Sequence, residues 1–131
     1  MTNQPTTSHP PDICLLLRAH GEQRWLISEV IPVLRQLEQP RSIPDDQRAA
    51  ALAYLEVLWI DAHLRAADTD AAHEHFNAAQ PGHDPVLHAK ARSYHAAVRR
   101  QRESIARRIG RLAPPSQTFA LSEHASQHIG L

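Results

Sequence analysis

The chain has 131 residues, enough for one domain with one modest core. Its 14 basic and 14 acidic side chains cancel, so binding to nucleic acid through net charge alone is not indicated. Cys14 stands alone, which leaves no partner for an internal disulfide, and no apolar run approaches the roughly 20 residues that cross a bilayer; the chain is read as soluble and cytoplasmic, with no membrane partner.

Residues 1–10 (MTNQPTTSHP) are polar and Pro-containing and read as a disordered lead. A first helix is expected over 12–38, with Ile13, Leu16, Leu17, Ile27, Val30, Ile31, Leu34 and Leu37 mostly three or four apart. Gly21 weakens it. Pro32 removes a hydrogen bond to the carbonyl four residues back, so a kink or a break is expected there. Cys14 lies in an apolar run and reads as a small core residue.

A connector follows, and Ser42 with Asp45 three residues on resembles a capping box. The second helix is expected over 44–79. From Ala49 to Ile60 it is apolar on nearly every face, as in a helix that contacts more than one neighbour. Asp68 and Thr69 offer a second cap that would split it. Trp25 and Trp59 read as core or interface anchors.

Gln80-Pro81-Gly82-His83 is a turn signal. Asp84 then caps a third helix with Pro85 at its first position, and Pro114-Pro115 stops it. Its seam alternates steps of four and three: Leu87, Ala91, Tyr94, Val98, Gln101, Ile105, Arg108, Leu112. The expected fold is all-α, an antiparallel bundle of three long helices over 11–113, or four if the first or second breaks. Residues 114–131 read as a flexible or partner-docking tail.

Charge is sorted along the chain, with a net of minus five over 42–83 and plus six over 84–112. Level for level, position n of the second helix faces roughly position 165 minus n of the third. That rule leaves the far end of the third helix rich in unneutralised cations. Arg99, Arg100, Arg102, Arg107, Arg108 and Arg111 are therefore a candidate surface for phosphate or an acidic partner. The alternative is that they serve only helix pairing and the helix C-terminus.

Ten histidines invite a metal reading, and the level rule gathers Asp70, His73, Glu74 and His95 as its candidate ligands. Against it, HExxH and the repeated Glu-x-x-His of di-iron bundles are absent, and the histidines also read as solvated polar-face residues. No nucleophile motif or Gly-rich phosphate loop occurs, so neither enzyme activity nor a cofactor is expected. The expected role is helix-to-helix contact, as a homodimer or an adaptor, with nucleic-acid binding or a metal-binding bundle as alternatives.

The stretches HEHFNAAQ and HAKARSYHAAVRRQRESIARRIGR, Arg-, Ala- and His-rich, resemble small helical proteins of actinomycetes, including accessory proteins of their plasmids. The likeness is one of texture across about half the chain and carries no site residue. The 13 Arg beside one Lys fit a GC-rich genome.

Overall fold

A computed structural model describes residues 10–39, 41–80 and 84–112. The expected lead over 1–9 and the tail over 114–131 lie outside the described residues. Among the described residues there is no strand. The elements are α1 (Pro11–Trp25), a π turn (Leu26–Val30), α2 (Ile31–Glu38), α3 (Asp45–Ala78) and α4 (Pro85–Ile109).

The disturbance expected at Pro32 is present, in the form of the π turn. Proline has no N–H and its ring crowds the carbonyl four residues back. The backbone widens just before it, where the Ile31 N–H donates to the Leu26 carbonyl five residues away. The helix continues beyond, so 11–38 is one rod with a widened turn.

Asp84 caps α4 as read from the sequence, accepting from the N–H groups of Val86 at 2.9 Å and Leu87 at 3.2 Å. Ser42 does not cap α3, which begins after Pro44 with no side-chain cap. Its hydroxyl turns back instead onto the carbonyls of Gln36 and Gln39 at the end of α2. Beside it, in the connector, Arg41 sits at φ 67°, in the left-handed region. The split considered at Asp68–Thr69 does not occur, because α3 runs unbroken for 34 residues. The Thr69 hydroxyl donates to the Arg65 carbonyl and so stays within the helix.

The first rod packs closely on both α3 and α4, whereas α3 and α4 meet chiefly through long side chains. Arg18 pairs with Asp68, and Arg48 reaches Leu37, so levels rise along the rod as they fall along α3. Asp12, Glu22 and Glu38 meet His88, Arg102 and Arg108, so the rod and α4 ascend together.

The apolar core is divided. The larger cluster holds Leu26, Val30, Leu34, Leu55, Trp59, Val98, Ile105 and Ile109. The smaller holds Leu15, Phe76 and Ala91. The inward face of α4 is set by Ala91, His95, Val98, Ile105 and Ile109. The sequence seam shared Ala91, Val98 and Ile105, but its alternate positions fall one residue short: Tyr94, Gln101 and Arg108 stay half-buried while His95 and Ile109 turn inward. Cys14 is half-buried and unpaired. No described helix is long and apolar enough to cross a membrane.

Candidate functional site

Beside the larger apolar cluster lies a charged layer that ties the three rods together. Glu22 is in step with Leu15 and Ala19 on α1 and with Leu26 at the start of the π turn, so helical geometry carries its carboxylate inward, where its side chain is 2% exposed. Arg102 on α4 meets it with two parallel bonds, Nε to Oε2 at 2.6 Å and Nη2 to Oε1 at 2.7 Å. The same guanidinium reaches across to α3, where Nη1 donates to Asp70 Oδ1 at 3.1 Å and Oδ2 at 3.3 Å. Burial opposes the charge of Arg102, but the hydrogen bonds and charge of Glu22, backed by Asp70, outweigh it and raise its pKa.

The layer continues into aromatic rings. His95 Nε2 lies 3.2 Å from Asp70 Oδ1. His73 stacks on His95 with centroids 3.7 Å apart and planes within 15°. Phe76 stacks on His88 at 4.5 Å, and His88 Nδ1 lies 3.6 Å from Asp12 Oδ1 on α1. Desolvation lowers the His73 pKa, and the neighbouring His95 lowers it further.

This arrangement gathers Asp70, His73 and His95, as the level rule expected, and leaves Glu74 out, exposed on α3. The gathered groups do not converge. Rings stacked face to face aim their nitrogens away from a common point, and the Asp70 carboxylate is engaged by Arg102. Among the described residues no group of three or more His, Cys, Asp or Glu is placed to hold a metal ion. Thr69, buried in the same region, has its hydroxyl committed to a backbone carbonyl. The layer is built for cohesion.

The six arginines proposed as a surface divide. Arg102 is inside the layer. Arg108 forms a bidentate pair with Glu38, with both bonds 2.7 Å; these bonds raise the Arg108 pKa and hold that of Glu38 down. Arg111 stands close enough to add to the field at Glu38. Arg99, Arg100 and Arg107 are exposed and form no ion pair among the described residues. Arg48, which the sequence did not single out, donates to the Leu37 carbonyl with Nη1 and the Leu112 carbonyl with Nη2, both at 3.2 Å. It satisfies the carbonyl ends of α2 and of the turn after α4 together.

The outward side of α3 is the second feature. Leu55, Leu58, Trp59, Ala62, Ala66 and Thr69 face inward. Opposite them Ala50, Ala53, Val57, Ile60, Leu64, Ala67 and Ala71 follow one another in steps of three and four. Val57 is 62% exposed and Leu64 61%, Ile60 is half-buried, and the alanines are exposed. A helix read as apolar all round thus keeps one stripe for its own core and leaves another, at heptad spacing, facing solvent. Trp59 is buried as an anchor, edge-on to His63 at 5.0 Å, and Trp25 is half-buried beneath the Arg65 guanidinium at 4.3 Å.

Compared with protein-family models, curated proteins and solved structures, the chain matches none.

Proposed function

We propose that this chain is a non-enzymatic interaction module, an antiparallel bundle of three rods that meets a partner protein helix to helix. The observation that carries this reading is the outward stripe of α3. Leucine and valine side chains that are more than half exposed, in line and without a charge among them from Ala50 to Ala71, form a contiguous apolar surface. Heptad spacing matches the knob positions of a paired helix, and the alanines allow close approach of a second backbone. The charged layer suits such a module by fixing how its own rods align while the outer stripe stays available.

Leu64→Glu and Val57→Glu test the reading, because both side chains face water and their replacement leaves the core intact. Wild-type protein is expected to capture a defined partner from a lysate of its native cell and to bind a hydrophobic dye. Both variants are expected to lose both properties with unchanged helical circular dichroism. Identical behaviour of wild type and variants would remove the stripe as the functional surface.

A second reading, docking of a nucleic-acid backbone on α4, is favoured by the exposed Arg100 and Arg107, which have no ion-pair partner among the described residues. It predicts binding that weakens steeply with added salt and is lost in the variant carrying Arg100→Gln and Arg107→Gln.

A further inference from the structure

Resting on the α3 docking face just described, we infer that its occupant is a cationic amphipathic helix of another protein: an apolar heptad stripe edged by Lys or Arg. The argument is charge complementarity along the stripe. Asp46 and Glu74 stand at its two ends, and Glu56, Asp61 and Asp68 flank it. Asp61 and Asp68 each have one exposed arginine nearby, Arg65 at 3.4 Å and Arg18 at 3.9 Å. Asp46, Glu56 and Glu74 have no ion pair among the described residues. A partner helix lying along about 42 Å of α3, from Asp46 to Glu74, would pass all five carboxylates.

A second copy of α3 fits poorly. In an antiparallel pair centred near Ile60, Asp46 falls level with the copy's Glu74, and Asp61 lies two residues from the level of the copy's Asp61. In a parallel pair at equal levels, Glu56 lies beside the copy's Asp61. Either arrangement opposes like charges along its flanks. The chain's own ends fit no better, since residues 1–10 and 113–131 hold no Lys or Arg and the latter include Glu123. Neither the copy's α3 nor residues 1–10 and 113–131 supply the cations that would complement the stripe.

The probe is a synthetic peptide of about four heptads, with Leu and Ala at the core positions and Lys at the flanking ones, against a twin with Glu for Lys. Binding to the full chain is read by fluorescence anisotropy, with light scattering of the chain alone. The Lys peptide is expected to bind about tenfold or more tighter than the twin, to weaken with salt, and to be released by Leu64→Glu. Equal binding of the two peptides, or self-association abolished by Leu64→Glu, overturns the cationic partner while leaving the docking face standing. No binding of either peptide, by a wild type whose dye binding is also unaffected by Leu64→Glu, overturns both.

Discussion

The imidazole of His73 lies flat on that of His95, with centroids 3.7 Å apart, so the contact between α3 and α4 includes two groups that repel once both are protonated. The groups facing His73 are Asp70, Phe76 and Asn77 from its own helix and Arg92, His95 and Arg99 from α4. Desolvation, then His95, depresses its pKa below 6.5, with Arg99 and Arg92 adding to the effect and Asp70 opposing it. Below pH 6.5 the unfolded chain therefore binds more protons at this position than the folded one, and stability falls as pH falls. The stabilisation is whole above that pH and is lost on acidification through the depressed folded value. The melting temperature is expected to drop between about pH 7.5 and pH 5.5, and His73→Phe, which keeps a ring on His95, is expected to flatten that slope. An equal slope in the variant would assign the pH response elsewhere.

Arg102→Met leaves the buried Glu22 carboxylate without its partner. An isolated charge in such a place is costly, so a loss of about 3–5 kcal/mol is expected in urea denaturation. The joint replacement Glu22→Leu and Arg102→Met removes both charges and is expected to recover most of it, although Asp70 then loses a neighbour. Were the double variant as unstable as the single one, packing of the arginine stem and not charge would explain the loss.

The parts of this arrangement that local chemistry dictates were legible in the sequence. Asp84 and Pro85 announce the start of α4, Pro32 announces the disturbance in the first rod, and counting levels from one turn brings Asp70 to His95. The pairing of Glu22 with Arg102 was not legible, because a hydrophobic pattern scores Tyr94 and Gln101 as readily as His95 and Arg102, one residue on. Only the angle at which the first rod lies decides which set turns inward. Glu22 itself carried a signal, since it recurs in step with Leu15, Ala19 and Leu26. The outward stripe of α3 was hidden for a different reason. Where both faces are apolar, periodicity cannot name the free one, and the positions of the other rods do. Ser42 satisfied the local rule for a cap, yet the nearby carbonyls at the end of α2 took its proton.

Gly21 sits in the interior of α1 with open space where a Cβ would project. No turn or close approach requires glycine in the isolated chain. Gly21→Ala is expected to stabilise the fold by about 0.5–1 kcal/mol through helix propensity and reduced freedom of the unfolded chain. Thermal and urea denaturation measure it. A loss of stability instead would show that the α1 backbone needs glycine's freedom there.

Arg48 provides the last test, because one planar group serves two helix ends. Its two terminal nitrogens each bond a carbonyl, Leu37 before the connector and Leu112 after α4, and these carbonyls belong to segments far apart in sequence. The positive charge also lies at the negative ends of the two helix dipoles. Arg48→Ala removes both bonds and is expected to cost about 2 kcal/mol, within the range for hydrogen bonds from a charged donor. Arg48→Lys keeps the charge, but a single ammonium on a flexible stem cannot reproduce the fork, so it is expected to recover less than half of that loss. Hydrogen exchange supplies the independent readout. The amides of Gly110, Arg111 and Leu112 bond to Ala106, Arg108 and Ile109 in the turn that Arg48 anchors, and their protection is expected to fall in both variants. Full recovery by lysine, in stability and in protection, would mean that charge at the helix ends suffices and that the paired geometry of the guanidinium contributes nothing.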